Sequence, residues 1–281
     1  MMSIRNSSQL EAVAEFRKLH DSGCFILPNP WDVGSAVYLH HLGFKALATT
    51  SAGFAFSRGL ADGKVSRDEM LTHIREIVSA TPLPVNADFL GGFAIEPTDV
   101  ATNVKLCVAT GVAGLSIEDS TGESDPLIYN EQLAVERIRA ARVAIDETGI
   151  PVVLTARCEA WLVGHPDASA IARKRLKAYA EAGADCLYAP SAREPNEIAE
   201  LVRSIAPKPL NLLMSRPSPE LSFARIADLG VRRISIGSAL ASVAWGAFIR
   251  AARGLAIDHS FDSLAEAAPF SELNDLFAHR N

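Results

Sequence analysis

Three apolar stretches of the chain end in charge. Leu83-Pro84-Val85-Asn86-Ala87-Asp88 ends on an acid, Gly114-Leu115-Ser116-Ile117-Glu118-Asp119 ends on two, and Pro151-Val152-Val153-Leu154-Thr155-Ala156-Arg157 ends on a cation with Glu159 close behind. Ending a buried strand in charge is unfavourable unless something charged meets it there. The expectation is that these ends share one rim and hold a divalent metal and a small anionic substrate. The residues available for this are Asn86, Asp88, Glu118, Asp119, Arg157 and Glu159, with Asp62 in a nearby loop. Carboxylate oxygens without a Cys cluster suit a hard ion such as Mg²⁺, which takes one or two carboxylates directly and keeps several waters. A plainer arrangement uses the same residues: Asp88 and Glu118 cap the helices that follow them, or pair with Arg157.

A repeated unit positions these strands. Helical spacing gives way to Gly, then two or three residues, then an apolar strand, at Gly43, Gly111, Gly149, Gly183 and Gly230. Gly just past a helix end takes the left-handed conformation of a tight turn into a strand. The repetition implies βα units on a parallel sheet. Strands are expected near Cys24, Ala46, Val85, Leu115, Val152, Leu187, Leu210 and Ile234, which makes the fold class a single-domain (β/α)₈ TIM-type barrel over residues 1–281. A doubly wound sheet is the alternative; no GxGxxG follows the first strand. In a barrel the site lies at the C-terminal strand ends, where the charged residues stand.

Local signals add detail. Ser7 or Ser8 is expected to cap a first helix, Asp32 a helix through His41, and Ser66 a helix carrying Met70, Ile74 and Ile77. Ser51 to Gly63 reads as a long functional loop. A helix is expected from Ala239 to about Gly254. Residues 255–281 form a helical extension with an apolar pattern from about Phe261 to His279.

Composition narrows the classes. The chain has 281 residues, 48% hydrophobic and 21% charged, as expected of a globular protein with an ample core. A net charge of −6 argues against a nucleic-acid surface. The polar stretch Met1 to Leu10 lacks the apolar segment of a signal peptide, and no apolar run was expected to reach the ~18 residues of a membrane span. Cys24, Cys107, Cys158 and Cys186 read as buried thiols of a cytoplasmic protein.

The charged stretches also resemble a known family. Asn86-Ala87-Asp88, Ser116-Ile117-Glu118-Asp119 and Ala156-Arg157-Cys158-Glu159-Ala160 look like motifs of the isocitrate lyase/phosphoenolpyruvate mutase superfamily. Trp31-Asp32-Val33-Gly34-Ser35-Ala36, Thr49-Thr50-Ser51-Ala52-Gly53-Phe54 and Arg233-Ile234-Ser235-Ile236-Gly237-Ser238-Ala239 match in order and spacing too, from about Phe16 to Arg253. The resemblance implies a barrel whose eighth helix is exchanged between subunits of a homotetramer or dimer. It implies Mg²⁺, with Mn²⁺ as a substitute, and C–C or P–C bond chemistry on small oxo- or hydroxy-acids through an enolate. It places the metal at Asp88, Glu118, Asn86 and Asp62. Arg157 becomes the anion clamp, Arg157, Asp62 and Glu118 the catalytic set, and Ser51, Ala52, Gly53 and Trp31 further substrate contacts.

This chain departs from that pattern in two places. Asn86 stands where many members have a second Asp. The Lys-Cys-Gly-His loop of the lyases is replaced by Ser120-Thr121-Gly122-Glu123-Ser124-Asp125-Pro126-Leu127-Ile128-Tyr129, which has neither Cys nor His. Isocitrate and methylisocitrate lyases need that thiol as an acid for the departing carbanion, so those two activities are not expected. His165, after the fifth strand, is the better placed of the histidines but reads first as a loop-structure residue. His40 and His41 read as helix-end residues, and Cys158 should point away from Arg157. The expected activity is a Mg²⁺-dependent lyase or decarboxylase for a 2-oxo or 2-hydroxy dicarboxylate. The alternatives are phosphonopyruvate chemistry and a barrel that binds an oxo-acid without catalysis.

Overall fold

The computed structural model describes residues 4–278; Met1, Met2, Ser3 and His279, the end of the expected tail helix, lie outside it. The strands are β1 Phe25–Leu27, β2 Leu47–Ala48, β3 Val85–Asp88, β4 Gly114–Glu118, β5 Val153–Arg157, β6 Cys186–Tyr188, β7 Leu210–Leu213 and β8 Arg233–Ser235. All ladders are parallel, in the order β1-β8-β7-β6-β5-β4-β3-β2. Across the remaining seam, the Ala48 N–H donates to the Pro28 carbonyl at 3.0 Å. This is a nearly closed (β/α)₈ barrel, with all eight expected strands present.

The helices are α1 Ile4–Asp21, α2 Val33–His41, α3 Ser51–Ser57, α4 Arg67–Ala80, α5 Pro97–Val108, α6 Glu131–Thr148, α7 Ala168–Glu181, α8 Pro195–Ile205, α9 Phe223–Asp228, α10 Ala239–Arg253 and α11 Phe270–Ala278. The five repeated turn glycines all have positive φ, from 72° at Gly149 to 105° at Gly183, as their position after a helix requires. Asp32 and Ser66 each close a reciprocal capping box, with Ser35 and Glu69.

Alternation along each strand divides the interior in two. Ala87, Leu115, Ile117, Leu154, Leu187, Leu212 and Ile234 belong to one buried core cluster with helix residues such as Ile74, Val104, Ile145, Leu176 and Ile198. The residues between them face the barrel axis, and most of those are polar. Helix α1 closes the N-terminal end of the barrel. Its Gln9 amide donates to the carbonyls of Val108 and Val112, its Arg17 donates to the Pro151 carbonyl, and Val13 and Phe16 are buried.

Four expectations need correction. The first helix begins at Ile4, so Ser7 and Ser8 lie within it. Ser51 to Gly63 is not all loop, because the Thr50 hydroxyl accepts from the Gly53 N–H and starts α3 at Ser51. The tail is two pieces, a 3₁₀ turn Asp262–Glu266 and α11, separated just before Pro269, where helical backbone is disfavoured. Finally, the run Ala239–Asp258 is long and apolar enough, by length and composition, to cross a membrane. Its Arg250 and Arg253 masked that run in the sequence. In the fold it lies on the outside with only Ala241 buried, and Val243, Trp245, Phe248 and Ile249 are exposed.

Candidate active site

The charged strand ends meet as expected. Arg157, at the end of β5, is the centre of a ring of acids. Its Nη1 donates to Asp88 Oδ1 at 2.7 Å, its Nη2 lies 3.2 Å from Glu118 Oε2, and its Nε donates to Glu159 Oε1 at 2.9 Å. The guanidinium carbon sits 5.1 Å from the Tyr188 ring centroid. The ion-pair arrangement of Asp88 and Glu118 with Arg157 is therefore present. Ladder register explains the meeting: Glu118 pairs with Arg157, and Arg157 with Tyr188.

Second contacts fix these acids. Asp88 Oδ2 accepts from the Ser51 N–H at 2.9 Å, at the start of α3, and the Asp88 N–H donates to Thr49 Oγ1 at 2.8 Å. Asp119, also at the end of β4, does not face the rim. It is buried, accepts from the Glu159 N–H at 2.8 Å, and accepts from Arg175 and from the Tyr179 hydroxyl at 2.6 Å. Its role is to hold the Glu159 turn, while Arg175 ties the same knot to the Tyr129 carbonyl. The loop leaving Asp88 is held by Arg137 of α6, which donates to the carbonyls of Gly91, Ala94 and Ile95 and stacks over Tyr129.

The electrostatics show an excess of negative charge. Burial is the largest cause pushing the Glu118 carboxyl up to about 8; Arg157 opposes it, and Glu159, Asp88 and Asp62 reinforce it. Burial and then Asp88 raise Asp62 against the pull of Gly63, Ser51 and Arg157. Burial raises Glu159 against the pull of Arg157. Burial works to lower Arg157, but Glu159, Glu118 and Asp88 outweigh it and hold it well above its ordinary value. Arg157 is thus a permanent cation shared among three acids.

Beneath and beside this ring lies a cavity of about 270 Å³, lined among others by Ser51, Ala52, Asp62, Asn86, Asp88 and Arg157. A larger depression of about 560 Å³ lies at the opposite end of the barrel, against Arg17, His20, Lys208 and Arg232. The strand-end cavity is the candidate site, because the converging acids are there.

Of the residues named from the sequence, Asn86, Asp88, Asp62, Arg157, Ser51 and Ala52 line the cavity, and Glu118 stands beside it as a partner of Arg157. The Ser51 and Gly53 N–H groups are committed to Asp88 and Thr50 within the protein. Gly53 serves packing as well: a Cβ there would lie 2.6 Å from the Thr50 methyl and 3.0 Å from Trp31 Cβ. Trp31 does not line the cavity. It belongs to an apolar surface depression with Ser57, Ala241, Ala244, Trp245 and Phe248.

His165 lies in the loop after β5, where its N–H donates to the Ala160 carbonyl and its Nδ1 accepts from the Asp167 N–H. Cys158 is buried, and burial pushes its thiol well above its ordinary value. Sequence reasoning missed a further part of the cavity's lining, formed by Ser116, Tyr188, Asn211, Arg233 and Ser235. The signal was present as polar residues at alternate positions of otherwise apolar strands.

The donor set fits a divalent cation in chemistry. Asp62, Asp88, Glu118 and Glu159 offer hard oxygens in net excess over one Arg, and the buried Asn86 Oδ1 has no hydrogen-bond partner. Among the described residues no three His, Cys, Asp or Glu side chains are grouped to cage a metal.

Fold and cavity together define a barrel protein with an acidic strand-end site. A family model described as phosphoenolpyruvate phosphomutase matches residues 16–256, and the chain belongs to the phosphoenolpyruvate mutase/isocitrate lyase superfamily. It is 36% identical over 262 residues to an uncharacterised protein of Mycobacterium tuberculosis, covering 92% of this chain and 94% of that one. A Burkholderia cenocepacia J2315 structure, described only as a candidate lyase or mutase, is 44% identical with a TM-score of 0.93 and 98% of both chains covered. A 2,3-dimethylmalate lyase structure is 26% identical with a TM-score of 0.82, covering 99% of this chain and 95% of that one.

Proposed function

We propose that the protein is a Mg²⁺-dependent carbon–carbon lyase or decarboxylase for a small 2-oxo or 2-hydroxy dicarboxylate, with Mn²⁺ as a substitute metal. The observation that carries this reading is the ring of carboxylates around Arg157, since its net negative charge repels an anionic substrate unless a cation joins it. The likeness to 2,3-dimethylmalate lyase supports the substrate class.

Asp88, Glu118, Asn86 and Asp62 would hold the metal, directly or through water. Bound there, it would polarise the substrate's α-oxygen and stabilise charge developing on it. Arg157 keeps its positive charge throughout and fixes Asp88, Glu118 and Glu159 in place. Asp62 lines the cavity and, where it holds the metal through a water rather than directly, its carboxyl stays available to accept and return a proton. The Tyr188 hydroxyl, pushed up to about 12 by burial, stays protonated, and it accepts from the Ser235 hydroxyl at 3.5 Å. The Ser120–Ile128 excursion brings no thiol or imidazole, so methylisocitrate-type cleavage is not proposed.

The exposed apolar face of α10 and the Trp31–Phe248 depression beside it support a homo-oligomer, a tetramer or dimer built through this helix, and the buried free thiols Cys107, Cys158 and Cys186 support a soluble, cytoplasmic protein. Oxaloacetate, malate and 2,3-dimethylmalate, each with Mg²⁺ and with chelator, test the reaction. Turnover of one, lost on chelation, is expected; no turnover of any by folded protein would overturn it. The family model favours a second reading, P–C bond chemistry on phosphonopyruvate, which a ³¹P spectrum would reveal.

A further inference from the structure

Barrel interiors are ordinarily filled with layers of branched apolar side chains. Here the axis-facing positions hold Asn86, Ser116, Thr155, Asn211, Arg233 and Ser235, and all but Thr155 line the cavity. The cavity therefore continues from the rim down to the start of β8. We propose that Arg233 forms the floor of a deep subsite that receives the distal carboxylate of the substrate, while the rim takes the reacting end. This rests on the reading of the rim given above.

Four observations carry it. First, Arg233 is buried, at 2% exposure, and its contacts are all neutral. Its Nε donates to Asn211 Oδ1 at 2.8 Å, its Nη2 to Thr155 Oγ1 at 3.0 Å, and its Nη1 meets His20 Nε2 at 3.3 Å. His20 stays neutral, with its imidazole lowered to about 3 by burial and then by Arg233. Among the described residues no carboxylate makes an ion pair with Arg233, and a buried cation without counter-charge favours an incoming anion.

Second, Arg157 cannot serve as well, because three acids already share its charge. Third, the cavity-lining Asn86 is 4% exposed and uncharged, and the only carboxylates that line the cavity are Asp62 and Asp88 of the rim, so none stands beside Arg233. Fourth, the spacing fits. Thr155 touches Arg233 and lies two residues below Arg157 on β5, an offset of about 6–7 Å. A dicarboxylate of roughly four to six carbons, with bonds of about 1.5 Å, spans such a gap.

Calorimetry on the full chain with Mg²⁺ tests the subsite. The probes are 2-oxoglutarate against 2-oxovalerate, 2-oxoadipate against 2-oxohexanoate, and oxalate, which is too short to reach the floor. At one chain length the wild type should bind the diacid about tenfold or more tightly than the monoacid. Arg233→Gln should bring that ratio to within about twofold, and Arg233→Lys should restore part of it. Equal binding of diacid and monoacid at both lengths, with oxalate bound, overturns the floor subsite alone and needs no variant. A full preference retained in Arg233→Gln also overturns it. Failure of oxalate to bind the wild type overturns the reading of the rim, and the floor with it.

Discussion

Arg157 and Arg233 are both taken out of water inside one barrel, yet their surroundings are opposite. Arg157 stands at the strand ends among Asp88, Glu118 and Glu159, while Arg233 stands at the strand starts among Asn211, Thr155 and His20. The upper arginine is overcompensated and the lower one is uncompensated. The cavity between them therefore runs from a surplus of negative charge to an unmatched positive charge. That gradient suits a guest with a metal-seeking end and a plain anionic end, and it orients such a guest.

The sharpest way to break the comparison is to remove each arginine in turn. Arg157→Met leaves three buried acids without their cation, so a stability loss of about 3–5 kcal/mol and loss of turnover are expected in denaturant titrations and assays. Removing the floor cation by Arg233→Met strands only neutral partners, and a loss of about 1–2 kcal/mol is expected. Equal losses for the two variants would contradict the asymmetry. Between these lies Gly114→Ala. A Cβ there would meet Asn86 Oδ1 at 2.7 Å and Phe16 Cε1 at 2.8 Å, so overpacking of about 1–3 kcal/mol and weaker metal binding are expected by melting and titration.

Proton linkage separates the two ends with smaller, opposite slopes of at most about 1.4 kcal/mol per pH unit. Glu118 has its folded value raised, from 4.5 to about 8, so the folded state holds the extra proton and metal-free stability falls as pH rises across that window. His20 has its folded value lowered, from 6.5 to about 3, so the unfolded state holds the extra proton. Its contribution is complete above pH 6.5 and is lost as pH falls toward 3. Glu118→Gln should flatten the first slope, to which the raised Glu159 and Asp62 also contribute, and His20→Asn the second, to which the buried His73 also contributes, as read from denaturation midpoints at several pH values.

The barrel itself was legible because its αβ turns carry Gly at one position, and Gly111 and Gly183 do adopt the backbone that the reading requires. The rim was legible because charge at the end of an apolar strand is conspicuous. The floor was not, since Leu210-Asn211-Leu212 and Arg233-Ile234-Ser235 read as apolar strands when their alternation is ignored. Asp119 and Glu118 are adjacent and looked equivalent. Only the three-dimensional neighbours Arg175 and Tyr179 show that one is a brace and the other part of the rim. Trp31 matched its motif, but it packs against α3 at Gly53, outside the cavity, where the sequence reading expected loop from Ser51 onward.

The segment that leaves Asp88 has little slack. Leu90 and Phe93 hold left-handed backbone, with φ of 48° and 55°, which costs non-glycine residues about 1–3 kcal/mol each. Arg137 clamps the carbonyls around them, so that cost is borne in the resting molecule. The backbone that follows the rim acid Asp88 is thereby set before any guest arrives, and a guest finds that carboxylate already in place.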